Sequence, residues 1–385
     1  MLHFAGVPVS QLAARLGTPS YVYAFSRVQD NLQRLHGALR GAGFDGRYNL
    51  LYAMKANRYA PLLTRLQQTG LCGIDACSPR EVELAVSCGF HPGQISFTAG
   101  SLSAADVAML ARFDGMFMDC DSIHAIRTWG RLKPGSEIGI RVNPAMGVSR
   151  EHNDRLQYAG SLTTKFGVYR EQFDEALAVA REHQLKVTKI HFHTGCGYLT
   201  PQLPQWDNVI ANCLWFVDRC DTIKKVNVGG GLGVPHTAAD GRLDLEKWGA
   251  VLARHFGDRK LHLELEPGEY LLKDAGILLL GKTYLERKRD TLFMGVDAGF
   301  NIAPEPAYYQ LPFQPVPLTL SADAELGPVT VVGNINEALD VWFPDAWLPD
   351  MTDQSAIALI NAGAYSSAMA SDHCMRGQFR EFLLP

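Results

Sequence analysis

The stretch Tyr52-Ala53-Met54-Lys55-Ala56-Asn57 closes an apolar run with a lysine. Burying an ammonium is costly unless it is paired or neutralised. Desolvation lowers a lysine pKa, and the neutral amine is the form that condenses with a carbonyl. The plainer alternative is a head group that snorkels to water at a strand end. Further along stand Arg141, the run His191-Phe192-His193-Thr194-Gly195, the triplet Gly229-Gly230-Gly231, and Glu264-Leu265-Glu266-Pro267-Gly268. A lone histidine is more often structural, a glycine triplet is more often a turn, and Glu266 before Pro267 could simply end a strand. It is their convergence at one end of one fold that carries a functional argument.

That convergence requires a particular set of elements. Short apolar or β-branched runs fall at Asn49–Met54, 73–76, 95–98, 115–119, 137–142, 187–193, 225–228 and 262–266. Between them lie segments with apolar positions three and four apart, at 79–86, 104–111, 172–180 and 243–256. Strands alternating with helices predict a parallel sheet, and eight close a (β/α)₈ TIM-like barrel of about 250 residues. An open doubly wound sheet would place its glycine loop after the first strand. Here the triplet follows the seventh, where barrels hold phosphate. Ser78 is the expected cap of the helix beginning at Pro79, with Glu81 as its reciprocal partner. Beyond Glu266 the helical patterns give way to short β-rich stretches at 277–280, 292–296, 329–332 and 356–360. These predict a mostly antiparallel β domain. The opening strand 19–23 is expected to join it. The expected division is a barrel over 26–267 and a β domain from 1–25 plus 268–385.

At 385 residues with a net charge of −4, the chain suits two domains and offers no electrostatic case for nucleic acid or an anionic membrane. Neither a secretory leader nor a bilayer-spanning run is visible. The eight cysteines form no CxxC pair and match no common zinc spacing. Reduced thiols in a cytoplasmic protein without a metal are expected.

The strand-end residues suit pyridoxal 5'-phosphate. That cofactor needs a lysine for its aldehyde, backbone amides for its phosphate, a polar partner for its ring nitrogen and a flat group against its ring. With these motifs in order, the chain resembles the fold-type III pyridoxal-phosphate decarboxylases, the diaminopimelate and ornithine decarboxylase family, which share the alanine racemase-like barrel. The resemblance also rests on Lys165-Phe166-Gly167, Val296-Asp297-Ala298-Gly299, Glu337 to Asp340 and Gly363-Ala364-Tyr365. It implies that Lys55 holds the cofactor, His193 stacks on its ring and Glu266 pairs with its nitrogen. Gly229, Gly230, Gly231 and Tyr365 would bind the phosphate, and Arg141 would complete the cofactor site. A head-to-tail homodimer is implied, in which Glu337 and Asp340 of one subunit face the substrate of the other.

Four positions depart from the family pattern. Cys196 stands where a serine hydroxyl usually meets the phosphate, and a thiol is a weaker donor. Asn336 replaces a cysteine that influences protonation, leaving Lys55 or Tyr365 to return the proton. Glu269 and Glu305 replace two arginines that help hold the distal carboxylate of diaminopimelate. These changes predict a different substrate, either a basic amino acid or a citryl-amino acid conjugate of the siderophore type. For the conjugate, Arg58, His373 and Arg376 are candidate carboxylate contacts. Three rival readings are a racemase on the same barrel, a non-catalytic carrier of the cofactor, and a degenerate decarboxylase acting as a structural partner.

Overall fold

The computed structural model describes residues 2–150, 156, 158–160, 162–320 and 323–385. The chain divides into two compact units. One comprises Met1–Asn31, Pro235–Asp240 and Leu271–Pro385; the other comprises Leu32–Val234 and Gly241–Tyr270.

Strand β1 (Ser20–Ala24) belongs to the first unit. The second unit is built on β2 (Tyr48–Ala53), β3 (Gly73–Ala76), β4 (Ile95–Thr98), β5 (Phe117–Cys120), β6 (Glu137–Arg141), β7 (Lys186–His191), β8 (Lys225–Asn227) and β9 (His262–Leu265). These eight pair in parallel, in chain order, and β9 returns to β2 to close the barrel. The observed strands match the expected ones to within about two residues at each end. Strands buried on both faces read as apolar runs, which is why they were visible.

Helix starts follow local chemistry. Ser78 Oγ accepts the Glu81 N–H at 3.2 Å, as expected of a cap. The reciprocal half differs, because the Glu81 carboxylate accepts the Cys77 N–H, at 2.6 Å, and not that of Ser78. Ser103 and Asp106 form a complete capping box.

The barrel interior is polar. Lys189 Nζ lies 2.7 Å from Asp119 Oδ2, 2.8 Å from Glu264 Oε2 and 3.0 Å from Ser96 Oγ. Side chains alternate across a strand, so Lys189 and His191 on β7, and Glu264 and Glu266 at β9, fall in successive interior rows. Gly139 on β6 makes room for the lower row; a Cβ there would collide with Asp119 and touch Lys189.

In the first unit β1 is joined by β10 (Gly276–Lys288), β11 (Thr291–Val296), β12 (Gln314–Pro317), β13 (Gly327–Val332), β14 (Val341–Leu348), β15 (Ala356–Ile360) and β16 (Arg380–Leu384). The sheet runs β12-β15-β10-β11-β13-β14, with β1 pairing both β10 and β16. Most pairings are antiparallel; β11 with β13 and β1 with β16 are parallel. Val22, Ile277, Leu279, Ala356 and Ala358 pack with Val9 and Leu12 into an apolar core. Each of the Val, Leu and Ile side chains contributes roughly 1.5–3 kcal/mol.

Candidate active site

Lys55 sits just past β2 in a single 3₁₀ turn, Met54–Ala56. The Tyr52 hydroxyl closes that turn by donating to Asn57 O at 2.8 Å, which fixes where the lysine stands. Lys55, Asp75, Arg141, His193 and Glu266 line one cavity of about 180 Å³ at the C-terminal ends of the strands. This is the end of a barrel where chemistry is found.

Glu266 is buried, and its two oxygens have different neighbours. Oε1 accepts from Asn227 Nδ2 at 2.7 Å, and Oε2 lies 3.3 Å from His191 Nε2. Burial alone would raise its pKa, but His191 and Lys55 outweigh burial and hold the carboxyl well below the usual range. Glu266 is therefore an ionised carboxylate.

His193 goes the other way. Burial, then Lys55 and Arg141, push its pKa well below the ordinary value, so the ring is neutral. Its Nδ1 accepts the Gly230 N–H at 3.2 Å, which assigns the ring proton to Nε2. Tyr158 packs edge-on against it with ring centroids 4.6 Å apart. Cys196 Sγ lies 3.9 Å from Nε2.

The glycine loop is tightly fitted. Gly229 and Gly231 have φ of +71° and +92°, and a Cβ on any of the three would collide with backbone carbonyls. Gly229 N–H goes to Asn227 Oδ1 at 2.9 Å and Gly230 N–H to His193. Of the three expected phosphate donors, two are thus satisfied within the barrel. Among the described residues, the Gly231 N–H meets no acceptor. Arg141 Nη2, Asp75 Oδ1 and His191 Nε2, all in residues that line the cavity, are buried without a hydrogen-bond partner among the described residues. Buried unpaired polar atoms are costly, so three around one cavity mark a place where a polar ligand belongs. An aldehyde-bearing aromatic phosphate with a protonated ring nitrogen fits this set of an amine, a guanidinium and an amide as donors and an ionised carboxylate as acceptor.

Asp119, His191 and Glu266 also place one ligand atom each within 4.8 Å of one another. The Lys189 ammonium already lies against Asp119, so this group has its cation.

Glu269 follows β9, and its Oε1 accepts the Val234 N–H at 3.3 Å. Arg58, just past the Lys55 turn, is in this barrel unit as well, and the remaining candidates lie in the other unit. Asn336 and Glu337 are exposed, with Glu337 Oε1 3.4 Å from His373 Nε2. Tyr365 has a positive φ of 56°, and the exposed Arg376 gives its carbonyl to Asn301 at 3.1 Å. Two residues differ from expectation. Asp340 does not present its carboxylate outward, because its oxygens accept the N–H groups of Phe300 and Ile335 and the Trp342 indole, at 2.8, 2.7 and 3.1 Å. It holds the 333–340 loop together. Glu305 is buried in an ion pair with Lys273, so its charge is neutralised and offers no free attraction to a substrate.

The sequence reading gave no role to Asn227, or to His191 as distinct from His193. Their signal was period-two polarity in otherwise apolar strands, which marks a polar barrel interior.

Residues 26–273 match the family model described as pyridoxal-dependent decarboxylase, pyridoxal binding domain. The diaminopimelate decarboxylase of Methanothermobacter thermautotrophicus is 30% identical, covering 100% of this chain and 90% of its own length. That of Archaeoglobus fulgidus is also 30% identical, covering 100% and 92%. A crystal structure of a mutant diaminopimelate decarboxylase from Helicobacter pylori, complexed with L-lysine, superposes with a TM-score of 0.88 at 25% identity over 98% of this chain and 94% of that one.

Proposed function

We propose that this chain, which belongs to the pyridoxal-dependent decarboxylases, acts on an amino acid other than meso-diaminopimelate. The carboxy-lyase activity and the pyridoxal 5'-phosphate cofactor come with the family.

When bound, the cofactor supplies an aldehyde for amine exchange and a ring that holds the electrons left as carbon dioxide departs. The chain's residues do the rest. Lys55 Nζ holds the aldehyde and gives way to the substrate amine. Neutral His193 would lie against the ring without adding charge. Ionised Glu266 keeps the ring nitrogen protonated, which strengthens the electron sink. Arg141 and the Gly231 N–H receive anionic oxygens. Asn336 does not titrate, so Lys55 Nζ or the Tyr365 hydroxyl returns the proton to the α-carbon. The reading includes a homodimer, with Glu337 facing the partner's substrate, in a cytoplasmic setting that suits eight cysteines outside disulfides.

The observation that supports a changed substrate is Glu269. It stands where the family motif carries an arginine, and a carboxylate there repels a distal carboxylate. Glu305, neutralised by Lys273, adds nothing to this argument. A cationic side chain is the better match, as in ornithine or lysine. The competing substrate is a citryl conjugate of the siderophore type, with Arg376 as its carboxylate contact. The test is a mass-spectrometric screen of the loaded enzyme against L and D basic amino acids, diaminopimelate isomers and citryl conjugates. The expected product is a basic amine lighter by carbon dioxide. Glu269→Arg should lower kcat/KM for that substrate by about tenfold, the size of one lost charge contact. Efficient turnover of meso-diaminopimelate by the unmodified chain would sink the proposal.

A further inference from the structure

His191, Asn227 and Glu266 come from three consecutive barrel strands. His191 and Asn227 are directly paired in the β7–β8 register, and Asn227 pairs with Glu264 in the β8–β9 register. Glu266 is one interior step above Glu264, so the three side chains meet at the cavity, which His191 and Glu266 line. Asn227 is fully buried and uses both ends of its amide. Gly229 N–H can only donate, so the atom facing it is Oδ1, and Nδ2 must then face Glu266. An aspartate in this place could still accept from Gly229 but would set a like charge against Glu266. His191 lies on the other side, with Nδ1 3.4 Å from Thr98 Oγ1 and Nε2 3.3 Å from Glu266 Oε2, a close approach and not a hydrogen bond.

We propose that Asn227 and His191 are positioning residues that hold the Glu266 carboxylate from two sides, and that Asn227 ties that carboxylate to the phosphate-binding glycine loop. The inference rests on the reading of Glu266 as the ring-nitrogen partner. Through one amide, the group that sets ring protonation and the loop that receives the phosphate are held in register. A shift in either is transmitted to the other.

The test needs readouts other than turnover. Two are the affinity of the apoprotein for pyridoxal 5'-phosphate and the absorbance of the bound cofactor as a function of pH. The titratable and charged groups around Glu266 are Lys55 after β2, Asp75 on β3 with Cys77 just past it, Asp119 on β5, Arg141 on β6, and His191 and His193 at β7, and all remain in the Asn227 variants. Asn227→Ala should weaken cofactor binding about ten- to a hundredfold, the range seen for groups that orient a ligand-binding side chain, and should displace the absorbance–pH curve. Asn227→Asp, which keeps the volume, should displace the curve further if it acts through Glu266. His191→Gln should move the curve with less loss of affinity. In a Glu266→Gln background, the His191→Gln and Asn227→Asp effects on the curve should disappear, because residues acting through one group are not additive. Full additivity overturns the inference, as does an Asn227→Ala protein that folds normally and binds the cofactor as before. If Glu266→Gln alone leaves the curve unmoved, the ring-nitrogen reading itself fails, whatever the other variants do.

Discussion

On the barrel floor Lys189 uses all three of its donors, on Asp119, Glu264 and Ser96, and Lys225 reaches the second Glu264 oxygen at 3.0 Å. One interior step higher, at the mouth, Arg141 Nη2 and Asp75 Oδ1 have no partner. Both rows are buried, and both are made of lysine or arginine with carboxylates. On the floor, burial opposes the Lys189 charge, but Asp119 and Glu264 overcome it and raise the pKa above the lysine norm. At the mouth, burial and Glu266 push Asp75 well above the carboxylate norm, with Lys55 opposing. One floor oxygen, Asp119 Oδ1, is also unpaired, but the charge of that carboxylate is met at Oδ2 by Lys189. A row whose charges are paired supports the fold, whereas a row with an unpaired guanidinium nitrogen waits for a ligand.

Two substitutions test that division. Lys55→Ala, at the mouth, should cut turnover by on the order of ten-thousandfold, the scale of removing a covalent anchor, and should leave the melting temperature nearly unchanged. Lys189→Met, on the floor, should do the reverse. It strands Asp119 and Glu264 without their shared cation, which costs about 3–5 kcal/mol when one partner of a buried pair is removed. Denaturant unfolding should show the loss, and the folded fraction should still bind the cofactor. If Lys189→Met instead kept full stability and lost cofactor affinity, the floor would have to be counted as part of the site.

The same contrast explains what was legible beforehand. Lys55, His193 and Glu266 announced themselves because each interrupts an apolar strand end, and the closed barrel brings them to one cavity with Arg141. Asn227 did not, since β8 is only three residues long and its importance depends on register with β7 and β9. In the other unit, β14 (Val341–Leu348) contains Pro344 and Asp345 and is exposed at alternate stretches, so it carried little strand signal. β16 was unread because its partner, β1, lies at the opposite end of the chain. Glu305 misled because a substitution in a motif shows a change of charge but not the Lys273 beside it that cancels the change.

The smallest effect expected sharpens the floor. Burial would raise the Glu264 pKa, but Lys189 and Lys225 bring it down from an ordinary 4.5 to about 2. A carboxylate depressed in the folded state stabilises when ionised. Its contribution is therefore complete above pH 4.5 and disappears as the pH falls toward 2. A shift of this size is worth about 3 kcal/mol at most. Glu264→Gln should lower stability at neutral pH by up to that amount, and its stability should fall less steeply between pH 4.5 and 2 than that of the unmodified chain. Asp75, whose raised pKa gives a slope of opposite sign, is present in both proteins and cancels in the difference. Urea midpoints measured across that interval supply the curve. Parallel curves for the two proteins would mean that Glu264 gains nothing from its ionisation. The floor would then owe its stability to Lys189 and Asp119 alone.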